Sequence, residues 1–164
     1  SRLALGGDSA GGNLDAVVAQ KARDENGPTL GFQLLVCPVT DSDFERPSFR
    51  DFGRDEYLLS REKMEWFWQN YEGLDGDMRD PRVAPLRAEN LEGLPPAHVV
   101  VAGYDPLLDE GVAYAEQLQR FGVEVSLSKA DDQPHDYWVA LGMIDEAERA
   151  VAEAARQMTK AFQQ

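Results

Sequence analysis

Ser9 stands in the stretch of the chain whose glycine spacing best suits a nucleophile. Residues 7–12 read GDSAGG, and the short apolar run Leu3–Leu5 precedes them. A serine hydroxyl that attacks a carbonyl must stand clear of the backbone, and a tight turn from strand to helix lifts it there. Gly7 and Gly11 lack a Cβ, which predicts that the strand and the helix cross closely on either side of the turn. The spacing alone leaves two interpretations open, a nucleophilic serine or a generic glycine-rich turn, and the rest of the chain must decide between them.

A nucleophilic serine needs a base, and the chain offers two histidines, His98 and His135. In an open parallel sheet, active groups gather at the carboxyl ends of the strands. His98 opens a predicted strand and should therefore lie at the opposite edge of the sheet. His135 follows a predicted strand that ends near Ser128, which puts it on the same side as Ser9. We expect His135 to be the base.

The base in turn needs a carboxylate that orients it. Asp105 directly follows a buried apolar run, again at the carboxyl end of a predicted strand. Its rival, Asp109, is placed to cap the next helix, which is a sufficient structural reason for it. We therefore favour Asp105, and the predicted catalytic residues are Ser9, Asp105 and His135. The backbone N–H of Ala10 should donate to the oxyanion.

The composition excludes several classes of partner. The 164 residues carry a formal net charge of −14, which argues against nucleic acid and anionic membrane surfaces. No apolar run is long enough to span a bilayer. The single cysteine, Cys37, lies in an apolar run and fits a reducing, cytoplasmic setting. Two distant histidines and one buried cysteine predict no metal site.

Apolar runs and helical patterns alternate along the chain, which predicts a parallel sheet covered on both faces by helices. The last run, Val123–Ser128, alternates apolar and polar residues as an edge strand does. In the first helix, Leu14 and Val18 belong to one apolar stripe. The other predicted strands are 2–5, 32–37 and 98–102, and the predicted helices are about 10–23, 61–71, 109–121 and 144–162.

The segment 41–80 differs from the rest because it is rich in charges and aromatic rings, which suggests an insertion near a lid. Ser60 is placed to cap its helix, with Leu59 packing onto Met64. One face of this helix is apolar, and it either packs against the body of the protein or contacts substrate. That face carries Met64, Phe67, Trp68 and Tyr71.

Four motifs occur in a fixed order: GDSAGGNL at 7–14, an Asp-Pro to Pro-Leu stretch at 80–86, GLPP at 93–96 and DPLLDEG at 105–111. Together they resemble the carboxyl-terminal half of bacterial hormone-sensitive-lipase-like esterases, in the α/β-hydrolase superfamily. The resemblance implies an α/β-hydrolase fold and hydrolysis of short- to medium-chain carboxylic esters without a cofactor. It implies a small-molecule ester as substrate, and it leaves a homodimer through the last strand and helix open.

The chain departs from the family pattern at three places. Asp15 stands where the family usually has a small apolar residue. His135 precedes Asp136 and Tyr137, where the family has a glycine and an aromatic residue. The family's His-Gly-Gly motif, which supplies the second oxyanion donor, is not within residues 1–164. We therefore expect one partial domain, an exposed edge on its first strand, and poor activity without an amino-terminal segment.

Two other classes of function compete with an esterase. A receptor or binding module can use the same fold without catalysis, but such relatives lose the histidine that is present here as His135. A serine peptidase or thioesterase could use the same three side chains, although peptidase relatives usually carry a large separate domain.

Overall fold

The computed structural model describes residues 2–72 and 76–163, which form a parallel sheet with helices on both faces. Its strands are β1 (Ala4–Asp8), β2 (Phe32–Val36), β3 (Ala97–Tyr104) and β4 (Val125–Pro134). Its α-helices are α1 (Ala10–Asp24), α2 (Pro47–Phe52), α3 (Arg61–Glu72), α4 (Leu108–Arg120) and α5 (Asp145–Gln163). Short 3-10 turns lie at Asp55–Tyr57, Pro85–Arg87 and Tyr137–Val139.

The strands pair in the order β1-β2-β3-β4, and every pair is parallel. Connections between parallel neighbours must cross over the sheet, and helices make those crossovers. All four carboxyl ends therefore meet at one edge, which is where the sequence analysis expects the functional groups. The predicted α/β architecture is confirmed.

Alternate residues of the central strands, β2 and β3, point into two separate cores on opposite faces of the sheet. Leu35, Val99 and Val101 face α1 and α4, where Tyr114 and Leu118 are fully buried. The residues between them, including Val36, Val100 and Ala102, pack with Ala147 and Ala150 of α5. Strands covered on both faces explain the continuous apolar runs in the sequence. Within 2–72 and 76–163, no helix is both long and apolar enough to cross a bilayer.

The buried face of α1 is not the predicted one. Leu14 and Val18 are 51% and 45% exposed, while Ala16 and Ala19 pack into the core. Small side chains face the sheet because helix and strand lie close together at this end of the molecule. β1 pairs only with β2 among the described residues, so it is an edge strand of the described sheet.

The aromatic segment 41–80 builds a third core beside the sheet. Phe49 of α2, an element that the sequence analysis missed, packs there with Met64 and Trp68 of α3. The predicted cap of α3 is present, because Lys63 N donates to Ser60 Oγ at 3.4 Å. Residues 73–75 of this segment lie outside the described residues.

Candidate active site

Ser9 occupies the turn between β1 and α1. Its backbone has φ 56° and ψ −115°, a conformation that residues with a Cβ rarely adopt. The turn is held because Ser9 N donates to Val36 O at 2.8 Å, and Ser9 O accepts from Asn13 N at 3.1 Å. Strain of this kind persists only where neighbouring bonds over-determine it, and it is common at functional sites.

The two glycines of the turn have different roles. A Cβ on Gly7 would overlap the backbone carbonyl of Gly11 and the side chain of Asp15. A Cβ on Gly11 would meet nothing within 4 Å. The expectation that both glycines permit the close crossing was therefore wrong for Gly11, because its free side points away from the strand.

Asp105 follows β3 and is 1% exposed. Its Oδ1 accepts from Leu107 N at 2.9 Å, which orients the carboxylate and leaves Oδ2 free to face His135. The rival Asp109 points elsewhere, because its Oδ2 accepts from Ser48 N at 2.8 Å and anchors the start of α2.

His135 reaches the site because β4 is longer and more bent than predicted. The strand continues past Ser128 to Pro134, and three residues of β4 stand opposite Gly103 of β3. A Cβ on Gly103 would overlap the carbonyl of Asp131, so only glycine fits at this irregularity. Bulges bend a strand and re-aim the side chains that follow, which brings His135 back over the sheet edge.

The three predicted side chains form one hydrogen-bonded line. His135 Nδ1 lies 2.7 Å from Asp105 Oδ2, and His135 Nε2 lies 3.0 Å from Ser9 Oγ. His135 as a whole is 3% exposed. His98 is not part of this line, because its Nδ1 is 2.7 Å from Ser126 Oγ inside the sheet. The arrangement can move a proton from the serine hydroxyl to the imidazole.

Three carboxylates surround the imidazole. Burial acts to lower the pKa of His135, but the hydrogen bond and charge of Asp105, together with Asp136 and Asp8, raise it overall. Burial, reinforced by the charge of Asp136, raises the pKa of Asp8 to about 6. Asp136 Oδ1 lies 3.3 Å from His135 Nε2, so this carboxylate is a neighbour of the proton-transfer atom.

Cys37 is closer to the site than the sequence suggested. Potential ligand atoms of Cys37, Asp105 and His135 all lie within 4.8 Å of one another. The argument that the cysteine stands apart from the histidines was wrong, because β2 and β3 end side by side. Burial raises the pKa of the Cys37 thiol, and His135 Nδ1 already bonds Asp105. The three side chains therefore form a hydrogen-bonded cluster and are not arranged as a set of metal ligands.

A cavity of about 800 Å³ opens in front of Ser9 and His135. Its wall is mostly apolar and includes all four residues of the predicted α3 face, of which Met64 and Trp68 are buried whereas Phe67 and Tyr71 are exposed. The α3 face therefore both packs and lines the cavity. Ala10, whose N–H has no acceptor within α1, also lines it. Lining residues that the sequence analysis missed include Asn13, Leu58, Lys63 and Asn70.

Asn13 was missed because the predicted apolar stripe of α1 is not the face that the structure buries, and a polar residue on the buried face needs hydrogen-bond partners. It is 3% exposed, and its amide donates to Val39 O at 2.9 Å and Val83 O at 2.7 Å. These bonds tie α1 to the segments on either side of the third core.

Known proteins show the same sequence pattern. Residues 1–139 match a family that is described by its alpha/beta hydrolase fold. The chain is 46% identical over 141 residues to the carboxylic ester hydrolase LipN of Mycobacterium tuberculosis, covering 83% of this chain and 37% of LipN. It is 38% identical over 162 residues to an ethyl acetate hydrolase of Pseudomonas putida, covering 95% of this chain and 50% of that protein.

Solved structures agree. The fold superposes with a TM-score of 0.92 on a serine-to-alanine mutant of LAE6, an alpha/beta hydrolase enzyme from the metagenome of Lake Arreo, at 41% identity. That match covers 99% of this chain and 51% of LAE6, so the chain spans about half the length of its relatives or less. The resemblance to hormone-sensitive-lipase-like esterases is confirmed. The chain belongs to the alpha/beta hydrolase fold family.

Proposed function

We propose that this protein hydrolyses short- to medium-chain carboxylic esters, with Ser9, His135 and Asp105 as a catalytic triad. One observation carries the proposal: a hydrogen-bonded line from Ser9 Oγ through His135 to Asp105 opens onto an apolar cavity. The relatives named carboxylic ester hydrolase and ethyl acetate hydrolase support the same chemistry.

In the proposed mechanism, Ser9 Oγ attacks the acyl carbonyl while His135 Nε2 takes its proton. Asp105 Oδ2 accepts from Nδ1, which keeps Nε2 free as the acceptor and stabilises the imidazolium that forms. His135 then gives the proton to the leaving alcohol, and an acyl group remains on Ser9. Water, activated by the same imidazole, releases the acid.

The oxyanion needs donors that point to where its charge develops. The N–H of Ala10 is the proposed first donor, because it is the first residue of α1 and follows the nucleophile. We propose that a second donor comes from outside residues 1–164. The unpaired outer edge of β1 among the described residues, and the matched share of the relatives, support this idea.

The proposed substrates are neutral esters of modest length. A mostly apolar wall of Met64, Phe67 and Tyr71 suits an aliphatic chain. Asp8 and Asp136 line the same cavity near the nucleophile, and a carboxylate on the substrate would be repelled by them.

Labelling by a fluorophosphonate tests the nucleophile, because such probes react only with an activated serine. We expect label on the wild type and loss of label in Ser9→Ala and His135→Ala. The matched control is His98→Asn, which keeps a side-chain nitrogen or oxygen near Ser126 and should keep the label. Label that survives Ser9→Ala contradicts the proposal, and absence of label from a folded protein that includes the amino-terminal segment favours a receptor-like binding module.

Substrate panels separate the remaining classes. We expect turnover of p-nitrophenyl acetate and hexanoate, with far slower turnover of matched thioesters and peptide amides. Residues 1–164 alone should hydrolyse these esters poorly, and the same residues joined to an amino-terminal segment that adds a strand beside β1 should hydrolyse them well. Equal activity of the two proteins would contradict the need for that segment.

A further inference from the structure

Two groups compete for the proton-transfer atom of His135. Nε2 lies 3.0 Å from Ser9 Oγ and 3.3 Å from Asp136 Oδ1. An imidazole nitrogen carries either one lone pair or one proton, so it serves one of these partners at a time. Which of the two partners hydrogen-bonds to Nε2 therefore depends on whether the imidazole is neutral or charged.

The backbone holds Asp136 at this position. Its φ of 62° is left-handed, and its carbonyl accepts from Val139 N at 3.2 Å in the turn that follows. The next residue, Tyr137, is 3% exposed and anchors this turn in the core beneath α5. The carboxylate itself is about half exposed to solvent.

The two partners prefer different states of the ring. With Nδ1–H bonded to Asp105, a neutral ring presents a lone pair at Nε2, which accepts from the Ser9 hydroxyl. The ionised Asp136 has no proton to donate to that lone pair. When the ring is charged, Nε2–H donates, and a full negative charge on Asp136 is a stronger acceptor than the neutral hydroxyl.

We propose that Asp136 is a positioning residue that stabilises the charged ring and so raises the pH at which His135 becomes available as a base. This inference rests on the proposed function only where ester turnover is its readout. Asp136 acts through His135 and is not assigned a contact with substrate.

Other ionisable groups also lie around the ring of His135. Asp8 ends β1, Cys37 follows β2 and Asp105 follows β3, and all three are partly or fully buried. Lys63 of α3 lines the cavity but pairs with Asp55 at 3.3 Å. Asp136 differs from the other carboxylates because it is half exposed and lies next to Nε2, so salt should screen its effect most strongly.

The test is the pH dependence of kcat/KM for p-nitrophenyl acetate in the wild type and in Asp136→Asn. Asparagine tolerates the same left-handed backbone and has nearly the same size. We expect the acidic limb of the profile to move to lower pH by about half a unit, the scale of a partly exposed ion pair. In 1 M salt the wild-type limb should move the same way, and the variant should respond less.

Asp132→Asn is the matched control, because it removes the same charge from an exposed position three residues before His135. An equal shift in this control would show that the shift arises from the change in net charge and not from the contact with Nε2, which would overturn the proposal. An unmoved limb in Asp136→Asn would also overturn it. A loss of activity with an unchanged profile would indicate a merely structural role, which again overturns it.

A titration of the imidazole by NMR reads the same shift without turnover, and the chain has two histidines to assign. His135 should titrate at lower pH in Asp136→Asn, while His98 should not move. If the ring shifts but ester turnover does not depend on Ser9, the proposed function fails and this inference stands. If turnover depends on Ser9 but neither the limb nor the ring moves, only this inference fails.

Discussion

Asp105 and His135 are separated by 30 positions in the chain, yet Oδ2 and Nδ1 lie 2.7 Å apart. They meet because β3 and β4 run parallel and deliver both residues to the same edge of the sheet. The carboxylate is buried and oriented by Leu107 N, so its geometry exists before any substrate binds. This pair makes the choice of acid testable.

Asp105→Asn should lower kcat by about 10⁴, because an amide stabilises the wrong tautomer of the base. Asp109→Asn should lower it far less, since Asp109 accepts from Ser48 N and does not touch His135. Steady-state kinetics with p-nitrophenyl acetate, alongside circular dichroism to check folding, measures both. Equal losses in the two variants would contradict the assignment of the acid.

Gly7→Ala should destabilise the protein by a few kcal/mol, because its Cβ would overlap the Gly11 carbonyl and the strand cannot withdraw without breaking the turn. Gly11→Ala should leave stability unchanged or raise it by up to about 1 kcal/mol, since alanine favours a helix more than glycine does. Urea unfolding measures the difference. The idea fails if the two alanines have the same effect.

Phe67→Ala should lower kcat/KM for the hexanoate ester by about tenfold and change the acetate value little, because the removed ring is part of the apolar cavity wall. Trp66 is its matched control: it is 59% exposed, neighbours Phe67 on α3, and does not line the cavity. Trp66→Ala should leave the chain-length preference as it was. A preference that moves equally in both variants would point to a general effect on α3.

Glu110→Gln should flatten the pH dependence of stability. The side chain is fully buried; its Oε1 accepts from Thr40 N at 2.7 Å, and its Oε2 has no hydrogen-bond partner among the described residues. Burial is the main cause that raises the pKa of Glu110 well above its ordinary value. The folded state therefore holds a proton that the unfolded state releases, and the free energy of unfolding falls as pH rises above about 4.5 toward the folded pKa.

Urea unfolding at pH 5 and pH 8 measures that fall. The wild type should lose more stability between the two values than Glu110→Gln, since glutamine keeps an oxygen for Thr40 and has nothing to ionise. Glu116→Gln serves as control, because Glu116 is exposed on the same helix. The same loss in all three proteins would refute a buried, protonated Glu110.

Much of the fold was accessible from local patterns. The runs around Leu35 and Val99 are apolar throughout because both faces of their strands are covered. Such a run can be recognised in the sequence before it is known which strands pair. Ser60 caps α3 as expected, since capping depends on residues three positions apart. The sequence could not show α2, whose six residues are ordered by contacts of Phe49 with distant parts of the third core.

The extent of β4 was underestimated for a related reason. Beyond Ser128 the chain turns polar and loses its alternation, so local pattern predicts a loop. Pairing with β3 nevertheless continues to Pro134, because backbone hydrogen bonds to a neighbouring strand do not depend on apolar side chains. The exposed stripe at Leu14 and Val18 was misassigned because helix periodicity shows two possible faces, and packing chooses one.

The sequence by itself determined the residue types of the candidate site, the strand-turn-helix around Ser9, and the side of the sheet on which Asp105 and His135 emerge. Those features follow from short-range stereochemistry and from the rule that parallel strands end together. Only the tertiary structure decided that Cys37 borders the same imidazole, that Asp136 shares Nε2 with Ser9, and that α3 faces the cavity. Such contacts join residues far apart in the chain or depend on one bulge in β4, so they arise from packing rather than from spacing.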